Sequence, residues 1–171
     1  MVLKFRMLSD ENDNFVRDFE VHPTMTLAEF HNFIIASLGY DDCMASFFTA
    51  DDKWNRQREF TLMDMGEGMG FDEEDMPIPM SKVTLAEIVI AEYTRLIYLF
   101  DMFANRAYYI ELVSSAQPNP QLDYPRVAFE NAPVPDQYDP DAVDSTSGSI
   151  FDEMMDDFSE FGGDDSYDDE Y

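Results

Sequence analysis

The sequence predicts an α+β fold: a small mixed β-sheet with one main covering helix, continued by an acidic C-terminal tail. Three observations predict it. Two stretches of period-two apolar alternation open the chain, Leu3-Phe5-Met7 and Phe15 to Val21. Apolar residues at helical spacing follow: Leu27, Phe30, Ile34 and Leu38. Arg126 is the last basic residue, and beyond it the composition changes.

The first two alternating stretches flank the polar run Ser9 to Asn14, so they read as a hairpin. Thr26-Leu27-Ala28-Glu29 comes next. The threonine can cap a helix while the glutamate three residues on reaches back to the cap. Gly39 can then supply the left-handed stop. Ser46 to Ala50 and Glu59 to Met63 read as short strands about the Asp51-Asp52-Lys53 turn. Residues 64–80 form an acidic loop rich in glycine and methionine. It ends at a second capping signal, Thr84-Leu85-Ala86-Glu87, which opens a short helix. Arg95 to Phe100 and Tyr108 to Val113, with Asn105 between them, make a second hairpin. The opening hairpin-then-helix resembles a β-grasp arrangement, an analogy of fold and not of function.

The folded part of the chain resembles the plasmid pRiA4b ORF-3-like family. The likeness is carried by residues in order: the first hairpin, Thr26-Leu27-Ala28-Glu29-Phe30-His31, Leu38-Gly39-Tyr40-Asp41-Asp42, Val83 to Glu87, Tyr98-Leu99-Phe100-Asp101 and Tyr124-Pro125-Arg126. Pro133 and Gln137 resemble the end of that domain. The resemblance covers roughly residues 1–137. It implies an α+β fold and, in some members, a place within larger bacterial or mobile-element proteins. Members carry two histidines, one residue apart, where this chain has Met44 and Ser46. They also carry a Gly-Asp-x-Trp-x-His type of turn, where this chain reads Met102 to Tyr109 without it. A polar site built on those family positions is not expected here.

Charge sets the partner class. The chain has 37 acidic and 10 basic residues, a net charge of −27. Such a chain repels phosphate backbones and anionic membrane surfaces, so direct nucleic-acid and membrane binding are not expected. Fourteen of the acids lie in residues 136–171, and residues 1–135 carry −13. The acidic tail, residues 138–171, is expected to be disordered outside one short stretch. Six prolines from Pro118 to Pro140 make the approach to it extended. Like charge favours a monomer, with a homodimer through a sheet edge left open. Cys43 is the only cysteine, which suits a reducing cytoplasm. The N-terminal residues do not pattern as a signal peptide, and no run approaches the roughly 18 apolar residues of a transmembrane helix.

Catalytic and metal-binding readings find little support. The two histidines, His22 and His31, and Cys43 are a poor ligand supply, so no metal and no cofactor is expected. Cys43 sits beside Asp41 and Asp42, whose charge disfavours a thiolate, and reads as a small core residue. Gly66, Gly68 and Gly70 lack the lysine and hydroxyl of a phosphate loop, and acids follow them directly. The acidic runs lack the EF-hand pattern. Trp54 is either a contact residue for a partner or a lid on a small core.

The tail holds the strongest interaction signal. Ile150, Phe151, Met154, Met155, Phe158 and Phe161 would form one apolar stripe on a helix spanning residues 149–161, with Ser149 as its cap. So short a helix needs a groove to fold in, on a partner or on its own domain. The expected function is therefore a non-enzymatic protein-interaction module that engages a basic or groove-bearing partner protein through these anchors. An acidic mimic of nucleic acid is the second reading, and an enzyme using carboxylates is the third.

Overall fold

Each alternating stretch becomes a strand of one sheet. The computed structural model describes residues 1–64, 76–91 and 93–138. Its strands are β1 (Val2–Ser9), β2 (Val16–Val21), β3 (Ser46–Ala50), β4 (Arg56–Thr61), β5 (Ile78–Pro79), β6 (Arg95–Asp101), β7 (Arg106–Ala116) and β8 (Arg126–Asn131). They order as β5-β4-β3-β6-β7-β1-β2-β8. Neighbours run antiparallel except β4 and β5, which makes the sheet mixed. The chain divides into two units, Met1–Gln137 and Tyr138–Tyr171.

The main helix is α1 (Leu27–Leu38). Thr26 accepts from the Glu29 amide and the Glu29 carboxylate accepts from the Thr26 amide, a complete capping box. Gly39 closes the helix at φ 70°, a conformation open to glycine at little cost. The second helix, α2 (Leu85–Ile90), starts with the same box on Thr84 and Glu87. The two helix starts pair with each other: Leu27 donates to the Val83 carbonyl and Leu85 to the Met25 carbonyl, both at 2.9 Å. The repeated Thr-Leu-Ala-Glu signal thus builds one joint of the fold.

The alternation of strand side chains separates two faces. Phe5, Phe19, Phe47, Tyr98, Tyr108 and Ile110 point to the side of α1 and pack with Phe30 and Ile34. Phe30 stacks on Phe47 with ring centroids 5.8 Å apart and meets Phe19 edge-on. The residues between them, Ala50, Ile97, Leu99 and Ala107, form a second cluster with Phe48, Trp54 and Tyr109 on the other face.

The sheet departs from the expected one in four ways. It has eight strands rather than six, because β5 and β8 are added at its two edges. Strand β4 begins at Arg56, three residues earlier than expected, since Asp51 closes the preceding turn by accepting from the Lys53 and Asn55 amides. Strand β7 runs to Ala116 because Ser114 to Ala116 pair with Val2 to Lys4 of β1. The likeness to a β-grasp ends with the opening hairpin and helix: the other neighbour of β1 is β7, antiparallel, and β3 pairs with β6.

Candidate functional site

Trp54 stands in the turn after β3, at φ 62°. Its ring meets Tyr109 edge-on at 5.2 Å, and the Arg95 guanidinium lies 5.0 Å from its centroid. Trp54 thus closes the second cluster while one side of it borders a cleft of about 280 Å³ with Leu8, Ser9, Asp10 and Tyr109. The structure thus shows the lid reading of this residue, packed on the second cluster. Beyond Arg95 lies a second cleft of about 570 Å³, walled by Asp51, Asp52, Gln57, Tyr93 and Thr94. Arg95 also donates to the Asp52 carbonyl and lines this second cleft.

The charged residues on this face form cross-strand pairs. Arg6 grips Asp18 with two hydrogen bonds of 2.8 and 3.0 Å. Arg126 meets Glu20 at 2.6 Å, and Arg95 lies 3.9 Å from Glu111. Asp18 is the only buried carboxylate among the described residues, and Arg6 holds it. Asp18, Glu20 and Glu111 are thus each paired with an arginine on a neighbouring strand.

A buried polar network lies on the α1 side. The His31 ring is 1% exposed; its Nδ1 is 2.7 Å from the Tyr98 hydroxyl. The Tyr98 pKa is raised by burial, so the hydroxyl keeps its proton and can donate it to Nδ1. His31 Nε2 has no hydrogen-bond partner and lies 3.9 Å from the exposed Asp42 carboxylate. Burial lowers the His31 pKa, which Asp42 partly offsets. His31 is therefore neutral near pH 7 and closed off from solvent. Burial, then the charge of Asp42, raises the Cys43 pKa, so the thiol is a weak nucleophile at neutral pH.

Beside this network the chain segment after β8 is tied down. Tyr40 donates to the Pro135 carbonyl, and Gln137 bridges the backbone of Asp41 through its side-chain amide. Arg106 donates to the Asp136 and Gln137 carbonyls and to Glu11. Sequence reasoning did not single out Tyr40, Tyr98, Tyr108 or Arg106 as a cluster. One signal was available: Tyr98 and Tyr108 occupy inward positions of apolar strands, where a phenol needs a partner.

The remaining predicted residues distribute simply. His22 stacks edge-on with Tyr124 at 5.4 Å, far from any ligand set. Among the described residues no group of three or more His, Cys, Asp and Glu is placed to hold a metal. None of the helices there is long and apolar enough to cross a membrane. Gly66, Gly68 and Gly70 lie outside the described residues, as do Ile150, Phe151, Met154, Met155, Phe158 and Phe161.

A mixed sheet with one main helix on a single side defines an α+β domain. The chain belongs to the plasmid pRiA4b ORF-3-like protein family, whose model matches residues 2–147. A crystal structure of a protein of unknown function from Methanosarcina mazei Go1 has the same fold, at a TM-score of 0.61 and 17% identity. That alignment covers 93% of this chain and 82% of the other. None of the curated proteins matches the chain.

Proposed function

We propose that this protein is a non-enzymatic interaction module that engages a basic partner protein. The observation that carries the reading is Trp54. It is held rigidly by Tyr109 and Arg95 on the sheet face opposite α1, beside an apolar cleft. Aromatic residues fixed at the edge of a cleft are the kind that dominate binding energy at protein interfaces. The acidic residues 138–171 supply charge that draws a basic protein, and Ile150, Phe151, Met154, Met155, Phe158 and Phe161 supply apolar anchors.

The test compares partners captured from cells by three full-length proteins. One is unaltered, one carries Trp54→Ser, and one carries serine at the six tail anchors. A basic protein retained by the first and lost from both variants supports the reading. A set of partners unchanged across all three would remove both surfaces from the function.

A further inference from the structure

We propose that one end of the sheet is a docking surface for a basic amphipathic helix of a partner protein. It shares with the proposed function only the basic protein partner; neither Trp54 nor the tail takes part in it. Ser46 pairs with both Thr61 and Leu99, so β3, β4 and β6 are level with one another at this end. Just beyond those pairs stand Met44, Met63 and the hairpin tip Met102-Phe103. All four are exposed: Met44 52%, Met63 57%, Met102 45% and Phe103 105%. Ten large hydrophobic residues are exposed among those described, and four of them lie at this end.

The tip is held in place rather than loose. The Asp101 carboxylate accepts from the Phe103 and Ala104 amides, both at 3.1 Å. Asn105 turns the chain at φ 52°, and its side-chain oxygen accepts from Arg56 at 2.9 Å. Phe103 is thus presented in one backbone conformation, which reduces the ordering cost of binding. The three methionines at this end have flexible, polarizable side chains that adapt to varied apolar faces. An amphipathic helix presents such a face, with anchors about one turn apart.

Charge selects the partner. Acids adjoin each apolar residue in sequence: Asp41 and Asp42 before Met44, Asp64 after Met63, and Asp101 before Met102. Among the described residues Lys82 lies 3.2 Å from Asp64 and Arg106 3.9 Å from Asp101. Asp42 remains 90% exposed. Basic residues on the polar side of the incoming helix complement this rim.

The probe is a synthetic lysine–leucine peptide of about 18 residues with leucines at i, i+3, i+4 and i+7. Its control is a scrambled peptide of the same composition, with the leucines off any single helical face. Both are titrated by fluorescence anisotropy against full-length protein, its Met102→Ser/Phe103→Ser variant and the variant with serine at the six tail anchors. The expected result is amphipathic binding about tenfold tighter than scrambled, lost by about tenfold in the tip variant and kept in the tail variant. Equal binding of the two peptides overturns the inference, as does absence of binding. Loss in the tail variant with none in the tip variant also overturns it, while leaving the proposed function standing. Met102 and Phe103 lie in an exposed turn, and an unchanged melting temperature confirms that the tip variant is folded.

Discussion

The Tyr108 hydroxyl lies 2.5 Å from the Tyr40 hydroxyl, and Tyr40 spends its own proton on the Pro135 carbonyl at 2.6 Å. Tyr108 must therefore be the donor to Tyr40. Burial raises the pKa of both phenols, so the chain of protons is intact at neutral pH. Two residues thus tie the loop after α1 to β7 and to the segment after β8.

Tyr40→Phe removes the donor to Pro135 and the acceptor for Tyr108 together. Its expected cost is about 1–2 kcal/mol, measured by urea unfolding. Tyr108→Phe is expected to cost less, because Tyr40 keeps its bond to Pro135. The double variant should cost less than the sum of the two, since the same bond is counted in both. Strict additivity would contradict the shared proton chain.

His31 makes stability depend on pH. Burial lowers its folded-state pKa below the ordinary value of 6.5. The unfolded chain therefore binds a proton at a pH where the folded chain does not. The contribution of His31 is fully present above about pH 6.5 and declines as the pH falls toward the folded-state pKa. An NMR titration should find the His31 ring titrating below 6.5. Asp42→Asn should lower that midpoint further, because Asp42 favours the charged ring. A midpoint at or above 6.5 would refute the account.

Arg17 is 5% exposed and fastens the last strand. It donates at 2.8 Å to the Val16 and Asn131 carbonyls and at 2.9 Å to Ala132, with its guanidinium 4.5 Å from the Phe15 ring centroid. Arg17→Met keeps the apolar stem and loses these bonds. The expected destabilisation is about 3 kcal/mol. Amide exchange should rise most in β8, whose end Arg17 holds. Equal acceleration in β1 and β8 would show that Arg17 acts through the core instead.

Local signals were legible because the residues that make them are close in sequence. Thr26 and Glu29 form their capping box within one turn, and Gly39 adopts its left-handed angle next to the helix it ends. The hairpin of β6 and β7 turns at Asn105, the residue read as its turn. Strand β8 escaped such reading. A register shift between Asp18 and Phe19 breaks its alternation, and its partner β2 lies more than 100 residues away. Strand β5 has two residues, too few for a period to show.

Trp54 was legible as a residue of interest, though not its Arg95 and Tyr109 neighbours, which come from the distant strands β6 and β7. Met44, Met63 and the Met102-Phe103 pair stood in three separate loops until the register of β3, β4 and β6 brought them to one end.

By itself, the sequence determined the α+β class, the two capped helices, both hairpins and the net charge of the chain. Periodicity, capping and net charge are short-range or summed properties, and no long-range contact is needed to read them. Tertiary structure alone decided the strand order, the two added edges, the burial of His31 and the placing of exposed methionines with Phe103 at one end of the sheet. Each of these depends on which distant strands pair, and that choice follows from packing the whole apolar surface at once.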